Sequence, residues 1–367
     1  MTATPGANWT EGLREPLASA ARGGRWCRIE EHRGGGWILL SDEGAGDVDW
    51  WHLPSDGTAD SLKPLDPLDD HRLPELGRFV RDSLRRSDTV TLLAWRVGSR
   101  AIFRVENDAG PHMVKLYRKD RDVLRRWLHL GEHSHPRWSV PTIDEWDPKR
   151  RMLRLQFCPG ESLNHRWLSG RATEEESDAV ASVLEWLASA PLPDDFPAHP
   201  IEEEIRILSE RLPVFERTLA EPSSRAAPLV ARVTTALRAL PEVAPVFSHR
   251  DFHDKQLLID GDRGTLIDLD LAAAAHPALD VGNILAHLQL RALKGAAIDW
   301  ASVARPIATR AKESRSIDDS LPVWTAGTLL RLALIYARRF RQPGVIESLF
   351  DATEAALDRS GEWKDIL

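Results

Sequence analysis

Cysteine and tyrosine are scarce in this chain of 367 residues, which contains two of each. Cys27 and Cys158 lie far apart in the sequence and can pair at most once. This argues against a disulfide scaffold and against a thiolate zinc site. So few cysteines fit a reducing compartment, and we expect a cytoplasmic protein.

Long apolar runs and an excess of basic residues are also missing. No stretch reaches the roughly 18 uninterrupted apolar residues of a membrane helix, since Arg331 interrupts the best candidate, residues 329–337. Residues 1–20 show no basic start followed by an apolar run, so we expect no signal peptide. The net charge of −8 and the pI near 5.9 come without a basic stripe. We therefore predict no membrane partner and no nucleic-acid partner.

What the chain does have is an ordinary globular composition, with 42% hydrophobic and 28% charged residues. Its length suggests about two domains, at roughly 150 residues each. Tryptophan is unusually frequent, with 14 Trp against 9 Phe. These rings could fill the core and its rim, or they could stack on sugars or bases in a binding cleft.

The first part of the chain is rich in strand patterns. Glycine-rich turns separate three β-type runs before residue 54, which predicts a small antiparallel meander. A loop through Pro64 and Pro67 and an amphipathic helix at residues 73–86 follow. Later strand predictions lie at residues 89–95, 100–106, 112–117, 142–146 and 151–157, with one helix at 119–131.

Beyond Gly160 the patterns are mostly helical, except for one β-type segment at residues 246–270. Thr173 and Glu176 have the spacing of a capping box at the start of a helix. The predicted helices lie at residues 173–188, 201–212, 224–240, 281–293, 302–314, 323–341 and 345–359.

The chemistry is concentrated in that β-type segment. Asp251 follows His249 and Arg250, and Asp268 lies in an Ile-Asp-Leu-Asp run. The residues between them suit a loop, a strand, a turn at 260–264 and a returning strand, which would bring both carboxylates to one end of a hairpin. Such a pair suits phosphoryl transfer to a hydroxyl: Asp251 accepts the proton, while Gln256 and Asp268 offer oxygen ligands to Mg²⁺.

These residues resemble the aminoglycoside phosphotransferase and choline kinase superfamily, whose folds are similar to eukaryotic protein kinases. The likeness extends from about residue 87 to the mid-320s. It implies that Asp251 is the catalytic base and that Gln256 and Asp268 are metal ligands, with Asp270 assisting. Asp280, in Leu-Asp-Val-Gly-Asn, matches an aspartate with a largely structural role.

Gln256 departs from the commoner asparagine, because its side chain is one methylene longer. Maltokinase-type sugar kinases look similar in carrying glutamine there, and they also carry an N-terminal cap. The resemblance implies an ATP-dependent kinase. A nucleotide-binding pseudokinase that acts as a regulator or scaffold is the alternative.

The resemblance also implies a nucleotide site. Lys115 ends the third strand of the β unit, where the family places its phosphate-binding lysine. Gly98 and Ser99 occupy the turn that covers the phosphates, although an ordinary hairpin turn fits as well. Gln156, Phe157 and Cys158 correspond to the connector between the lobes, where backbone groups would pair with adenine. Glu132 is the candidate ion-pair partner of Lys115.

The resemblance implies that the acceptor is a small molecule with a hydroxyl group, of aminoglycoside, sugar or amino-sugar type. Carboxylates for a cationic acceptor could come from residues 202–204, residues 318–319, Glu354 or Asp358, whereas Trp300, Trp324 or Trp363 could stack on a sugar ring. We expect His249 and Arg250 to hold the catalytic loop. Lys255 could contact the transferred phosphate or point to solvent.

Together these patterns predict an α+β, two-lobed, protein-kinase-like fold with a small N-terminal β-containing cap. We assign residues 1–86 to the cap, 87–160 to the N-lobe and 161–367 to the helical C-lobe. The cap could instead provide a dimerisation surface, so a homodimer is an open prediction.

Overall fold

The computed structural model describes residues 26–32, 35–44, 47–55, 59–120, 122–219, 222–315, 317, 319–337 and 344–367. Within them, antiparallel sheets precede a mostly helical second half. This is the α+β, two-lobed arrangement that the sequence predicts. In these residues no helix has the length and apolar character to cross a membrane.

An antiparallel meander forms the N-terminal sheet, with its strands in sequence order. They are β1 (Trp26–Glu31), β2 (Trp37–Gly44), β3 (Asp47–Leu53) and β4 (Lys63–Leu65). Gly36 has φ +80°, and a Cβ there would lie 2.2 Å from the Leu53 carbonyl oxygen, so the turn requires glycine. The predicted meander is confirmed. Strand β4 replaces the expected loop at Pro64, which lies at a sheet edge where proline is tolerated.

The second sheet is antiparallel and has the order β5-β6-β7-β10-β9. Its strands are β5 (Thr89–Arg96), β6 (Arg100–Asn107), β7 (Gly110–Tyr117), β9 (Ile143–Asp147) and β10 (Met152–Gln156). The predicted three-stranded unit and the later hairpin are therefore confirmed, and they join along β7 and β10.

Helix α1 (Pro74–Arg85) packs on this second sheet. Phe79 meets Phe103 with ring centroids 5.2 Å apart, and Trp50 of the N-terminal sheet meets Trp95 at 5.3 Å. Because α1 and Trp50 share the core of the five-stranded sheet, the N-terminal segment is continuous with the lobe. The division at residue 86 stays a prediction.

The helices after β7 share a large apolar core. They are α2 (Val123–Glu132), α3 (Leu163–Leu168), α4 (Glu174–Ser189), α5 (Ile201–Thr218), α6 (Ala226–Arg238), α7 (Leu279–Leu293), α8 (Trp300–Arg315), α9 (Leu321–Tyr336) and α10 (Val345–Asp358). The predicted capping box opens α4. Gly282 lets α7 and α9 pack closely, since a Cβ there would lie 2.9 Å from the Thr325 nitrogen.

Short strands form two small sheets that flank the loops with the predicted site residues. They are β8 (Trp138–Ser139), β11 (Glu161–Ser162), β12 (Ala198–His199), β13 (Val246–Ser248), β14 (Leu257–Asp260), β15 (Arg263–Leu266) and β16 (Ala273–Ala275). Strands β14 and β15 form the predicted hairpin, with Leu257 opposite Leu266. Gly264 leaves room for the Trp138 ring, which a Cβ would approach to 2.4 Å.

Candidate active site

The loop from β13 to β14 is held by the first turn of α7. Asp280 accepts hydrogen bonds from the backbone N–H groups of His249, at 2.6 Å, and Arg250, at 2.8 Å. Asn283 Nδ2 donates to the Arg250 carbonyl at 2.9 Å, and Arg250 itself has φ +69°. A buried carboxylate with two backbone donors fixes this strained turn and therefore the position of the next residue, Asp251.

His249 is fully buried and ties the loop to the hairpin. Its Nε2 lies 2.8 Å from the Ile267 carbonyl oxygen, and its Nδ1 lies 3.3 Å from the Asp251 nitrogen. Both contacts are satisfied by the tautomer that carries its proton on Nε2 and accepts at Nδ1. This positioning is what the sequence predicts for His249, and it links Asp251 to the residue before Asp268.

Asp268 and Lys115 meet across the two lobes. Lys115 Nζ lies 2.5 Å from Asp268 Oδ1 and 2.9 Å from Asp270 Oδ1. Burial raises the pKa of the Asp268 carboxyl, but the charges of Lys115 and Arg100 outweigh it and hold that pKa well below its usual range. Burial lowers the pKa of Lys115, and the two carboxylates again outweigh it, so the net shift is upward. The pair is therefore charged on both sides at neutral pH.

Asp270 is the most heavily hydrogen-bonded carboxylate of this group. Its Oδ1 also accepts from the Tyr117 hydroxyl at 2.9 Å and from Trp127 Nε1 at 3.2 Å. Arg100 Nη1 donates to its Oδ2 at 3.0 Å. Burial and the nearby Asp270 charge raise the pKa of Tyr117 well above its ordinary value, so the phenol stays a donor.

Sequence reasoning missed Arg100, Tyr117 and Trp127. The strand pattern contained a signal for Tyr117 and Arg100. Tyr117 lies two residues after Lys115 on the same face of β7, and Arg100 is opposite Tyr117 in the β6–β7 register. Glu132 was the wrong partner for Lys115. It is exposed at the end of α2, whereas the lysine bonds Asp268 and Asp270 and lies 5.0 Å from the Trp127 ring centroid.

Gln256 lies at the start of the hairpin and is buried. Its carbonyl accepts from the Ile267 N–H at 2.8 Å, so the residue before Asp268 is bonded directly to it. Its side-chain Nε2 lies 3.3 Å from His253 Nε2, which leaves Oε1 available as a metal ligand. Gln256, Asp268 and Asp270 thus share one end of the hairpin, and their metal-binding role stays a prediction.

The turn with Gly98 and Ser99 is fixed by a residue that the sequence did not single out. Asp70 Oδ2 accepts from the Gly98 N–H at 2.6 Å and from Trp95 Nε1 at 3.0 Å. The Ser99 N–H donates to the Arg96 carbonyl at 2.9 Å, closing the turn. Ser99 lines the cleft that contains Asp251 and Asp270. Contact of these two backbone amides with a phosphate stays a prediction. To make it, the Gly98 amide would have to leave Asp70 and the Ser99 amide would have to leave the Arg96 carbonyl.

Gln156 ends β10, and Phe157 and Cys158 follow it in the connector to β11. The Gln156 N–H donates to the Thr142 carbonyl at 2.9 Å, and Phe157 lies under the Arg104 guanidinium at 4.8 Å. Burial raises the pKa of the Cys158 thiol, which suits an apolar wall rather than a nucleophile. Adenine binding at this connector stays a prediction. Cys27 lies in β1, but its side chain is outside the described residues.

A cleft of about 490 Å³ lies between β6 and β7 on one side and the loop that contains Asp251 on the other. Asp251 and Asp270 line it together with Ser99 and Arg100, and the N-terminal sheet contributes Trp50. An ion pair of 2.8 Å between Glu31 of β1 and Arg217 of α5 spans the two sides. The N-terminal sheet therefore forms part of the cleft wall.

The expected acceptor residues lie elsewhere. Among the described carboxylates, Glu354 and Asp358 pair with arginines of the α6 region, Asp319 pairs with Arg359, and Glu204 is buried against His199. Asp318 lies outside the described residues. Trp300, Trp324 and Trp363 are buried in the core, so the prediction that they stack on a sugar is wrong. These rings pack against apolar side chains of the core, a contact that the sequence pattern does not reveal.

A cluster of two histidines and one aspartate lies beside the loop that contains Asp251. The His253 and His287 rings stack with centroids 4.6 Å apart, and Asp254 is adjacent. Asp254 is fully buried and accepts two hydrogen bonds from Arg291, at 2.7 and 2.8 Å. This carboxylate is already neutralised, so the cluster braces the loop against α7.

Similar folds occur among kinases of small molecules. One is a choline/ethanolamine kinase family protein from Mesorhizobium loti, with TM-score 0.53 and 15% identity over 76% of this chain and 90% of that one. A second is a mutant of aminoglycoside phosphotransferase APH(4)-Ia bound to AMP-PNP and hygromycin B, with TM-score 0.53 and 15% identity over 74% and 94%. A third is amicoumacin kinase hAmiN with AMP-PNP, Ca²⁺ and Ami, with TM-score 0.55 and 12% identity over 79% and 95%.

The fold is thus that of the protein-kinase-like phosphotransferases, with its lysine and aspartates at the junction of two lobes. Residues 89–314 match the model of the phosphotransferase enzyme family (APH). The chain belongs to this family and is a phosphotransferase. No curated protein matches it.

Proposed function

We propose that the protein is an ATP-dependent, Mg²⁺-requiring kinase that transfers the γ-phosphate to a hydroxyl group of a small molecule. Sugars, amino sugars and aminoglycosides are the acceptor types that the sequence allows. Two proteins of similar fold were crystallised with AMP-PNP, which supports ATP as the donor. We assign the activity to the cytoplasm, in keeping with the low cysteine content.

One observation carries the proposal. Asp251 and Asp270 line a single cleft, and Asp270 shares Lys115 with Asp268. A base for the hydroxyl, two acidic groups for a cation and a lysine for phosphates are thereby collected where the lobes meet. Phosphoryl transfer depends mainly on positioning and charge stabilisation, and few further groups are needed.

Asp251 performs the proton step. Its backbone is fixed through His249 and the Asp280 contacts, and its half-buried carboxylate faces the cleft. The acceptor hydroxyl donates a hydrogen bond to this carboxylate, which aims the oxygen at the γ-phosphorus. As the new P–O bond forms and the bond to the β-phosphate oxygen breaks, Asp251 takes the hydroxyl proton.

The donor set suits Mg²⁺, which prefers hard oxygen ligands. Asp268 uses Oδ1 for Lys115, and its second oxygen has no hydrogen bond from the described residues. Gln256 Oε1 is the second oxygen ligand, and Asp270 assists. When bound, the ion neutralises charge on the nucleotide phosphates. Lys115 and Arg100 hold the carboxylates in place and supply positive charge beside them.

The test separates binding from transfer. ATP is titrated calorimetrically into the protein with and without Mg²⁺, and ADP release is then measured over a panel of sugars, amino sugars and aminoglycosides. We expect Mg²⁺-dependent binding and acceptor-dependent ADP release, both reduced in Asp268→Asn. Asp260→Asn is the matched control, since Asp260 is an exposed carboxylate on the same hairpin.

Absence of ATP binding would contradict the proposal. ATP binding without ADP release over the whole panel would favour the pseudokinase alternative, for which no feature of the described site gives separate support. ADP release that Asp268→Asn leaves unchanged would reject the ligand assignment.

A further inference from the structure

The cleft beside Asp251 carries an excess of positive charge. Among the described residues that line it, basic side chains clearly outnumber acidic ones, which are Glu30, Asp251 and Asp270. Asp251 and Asp270 belong to the catalytic machinery, and Asp270 is already paired with Lys115 and Arg100. A cationic acceptor would meet an unfavourable potential in this cleft.

Three arginines on the helical side account for much of this charge. Arg211 of α5, Arg331 of α9 and Arg250 of the catalytic loop all line the cleft. We call Arg211, Arg250 and Arg331 the arginine set. Lys115 and Arg100, which serve the nucleotide side, come from the opposite lobe on β7 and β6.

Arg250 shows that this charge is incompletely compensated. Its Nη1 donates to the Leu271 carbonyl at 3.4 Å, and its buried Nε has no hydrogen-bond partner among the described residues. Burial lowers the pKa of Arg250. The nearby charges of Arg126 and Arg331 lower it further, whereas the Glu204 carboxylate raises it. A buried guanidinium nitrogen without an acceptor is costly, and Arg250 also lines the cleft, where an anionic ligand would compensate its charge.

Glu204 compensates only part of this charge. It lies 3.6 Å from Arg331 Nη1 and is also bonded to His199 at 3.2 Å. Glu204 is buried and is not part of the cleft lining. Arg331 directs its other nitrogen to Asn283 Oδ1 at 2.7 Å, which fixes the guanidinium on α9. The compensating carboxylate therefore lies behind the wall, whereas Arg211, Arg250 and Arg331 line the cleft.

We infer that the acceptor is a hydroxyl compound that also carries an anionic group, a phosphate or a carboxylate, and that the arginine set binds this group. The inference rests on the proposed kinase function and narrows its substrate class. Arginine is suited to both anions because its planar donors match their paired oxygens. The hydroxyl of the same molecule then lies toward Asp251.

Inorganic phosphate is the probe for this site. It is titrated calorimetrically into protein saturated with Mg²⁺ and AMP-PNP, so that the nucleotide's own phosphate positions are filled. We expect millimolar or tighter binding that weakens about tenfold or more in Arg211→Gln and is retained in Arg211→Lys. Arg206→Gln is the control on the same helix, because Arg206 is exposed and pairs with Glu203 and Glu210.

Three results would overturn the inference: no phosphate binding, equal binding by Arg211→Gln and wild type, or binding that AMP-PNP abolishes. The last result would assign the anion site to the nucleotide. Failure of AMP-PNP to bind would count against the kinase proposal instead, and phosphate titrated into the unloaded protein would still report on the arginine set.

Turnover provides a second arm with matched three-carbon alcohols. Glycerol phosphate and glycerate carry a negative charge, glycerol is neutral and serinol is positively charged. We expect ADP release to be stimulated by the anionic members in preference to glycerol and serinol. Stimulation by serinol or glycerol alone would uphold the kinase and reject the anionic acceptor.

Discussion

Lys115 donates a hydrogen bond of 2.5 Å to Asp268, although the two residues are 153 positions apart in the chain. The contact joins β7 to the residue that follows the β14–β15 hairpin, so it connects the two lobes. Because Lys115 is buried, Asp268 is half-buried and both are charged, each one depends on the other. The proposed active site is therefore assembled only when the lobes are in place.

Replacing Lys115 with methionine removes that shared positive charge. We expect Lys115→Met to weaken ATP binding at least about tenfold, since hydrogen bonds to charged groups contribute about 1.5–3 kcal/mol. The pKa of Asp268 would rise toward its ordinary value. Calorimetry with Mg²⁺ and ATP measures the effect, and Lys149→Met is the exposed control. Unchanged ATP affinity would reject the lysine's role.

The anchor of the catalytic loop can be tested at Asp280. Asp280→Ala leaves the buried N–H groups of His249 and Arg250 without their acceptor, which costs about 1–3 kcal/mol for each unsatisfied group. We expect lower unfolding free energy in urea and a larger loss in kcat than in the KM for ATP. Asp319→Ala, which removes an exposed carboxylate, should change neither. Normal kcat in Asp280→Ala would show that the loop needs no such anchor.

Asp70 connects the N-terminal segment to the turn at Gly98. Asp70→Ala removes the acceptor of the Gly98 N–H and of Trp95 Nε1. We expect a higher KM for ATP, because the turn beside the cleft loses its fixed conformation, and a stability loss of about 1–3 kcal/mol. Asp69→Ala is the exposed neighbouring control. Equal KM values for the two variants would contradict a positioning role for Asp70.

Acid should destabilise the protein in part through His276. Burial lowers the pKa of this histidine from 6.5 to about 4. The ring packs against Trp324, with centroids 5.2 Å apart. A lowered folded-state pKa means that the stabilisation is present above pH 6.5 and is lost as pH falls through about 4.

Urea denaturation at several pH values measures this dependence. We expect His276→Gln to remove on the order of 2 kcal/mol of the stability difference between neutral pH and pH about 4. His165→Gln, at an exposed position, should keep the wild-type slope. An unchanged slope in His276→Gln would exclude this histidine as a source of the acid sensitivity.

The sequence revealed those parts of the site that local pattern controls. Asp251, Gln256 and Asp268 lie on one loop and one hairpin, and the turn between the strands is legible from Asp260 to Gly264. Runs of β-type residues separated by turns similarly predicted both N-terminal sheets. Helix α4 was predicted from its capping box, which is also a local signal.

The contacts that complete the site are long-range, and local pattern does not encode them. Arg100 reaches Asp270 over 170 positions, and Trp127 reaches it over 143. Glu132 was chosen by its place in a helix, yet α2 directs Trp127 toward the lysine instead. The carboxylates predicted to bind the acceptor were chosen by charge alone. In the structure they form other contacts, such as the ion pair of Glu354 with Arg225.

Turnover by Asp251→Asn tests the central claim most directly. The variant keeps the side-chain shape but cannot take up the hydroxyl proton, so we expect kcat to fall about a hundredfold or more while the Kd for ATP with Mg²⁺ stays within about twofold. Asp260→Asn should match wild type in both measurements. Wild-type kcat in Asp251→Asn would contradict the account.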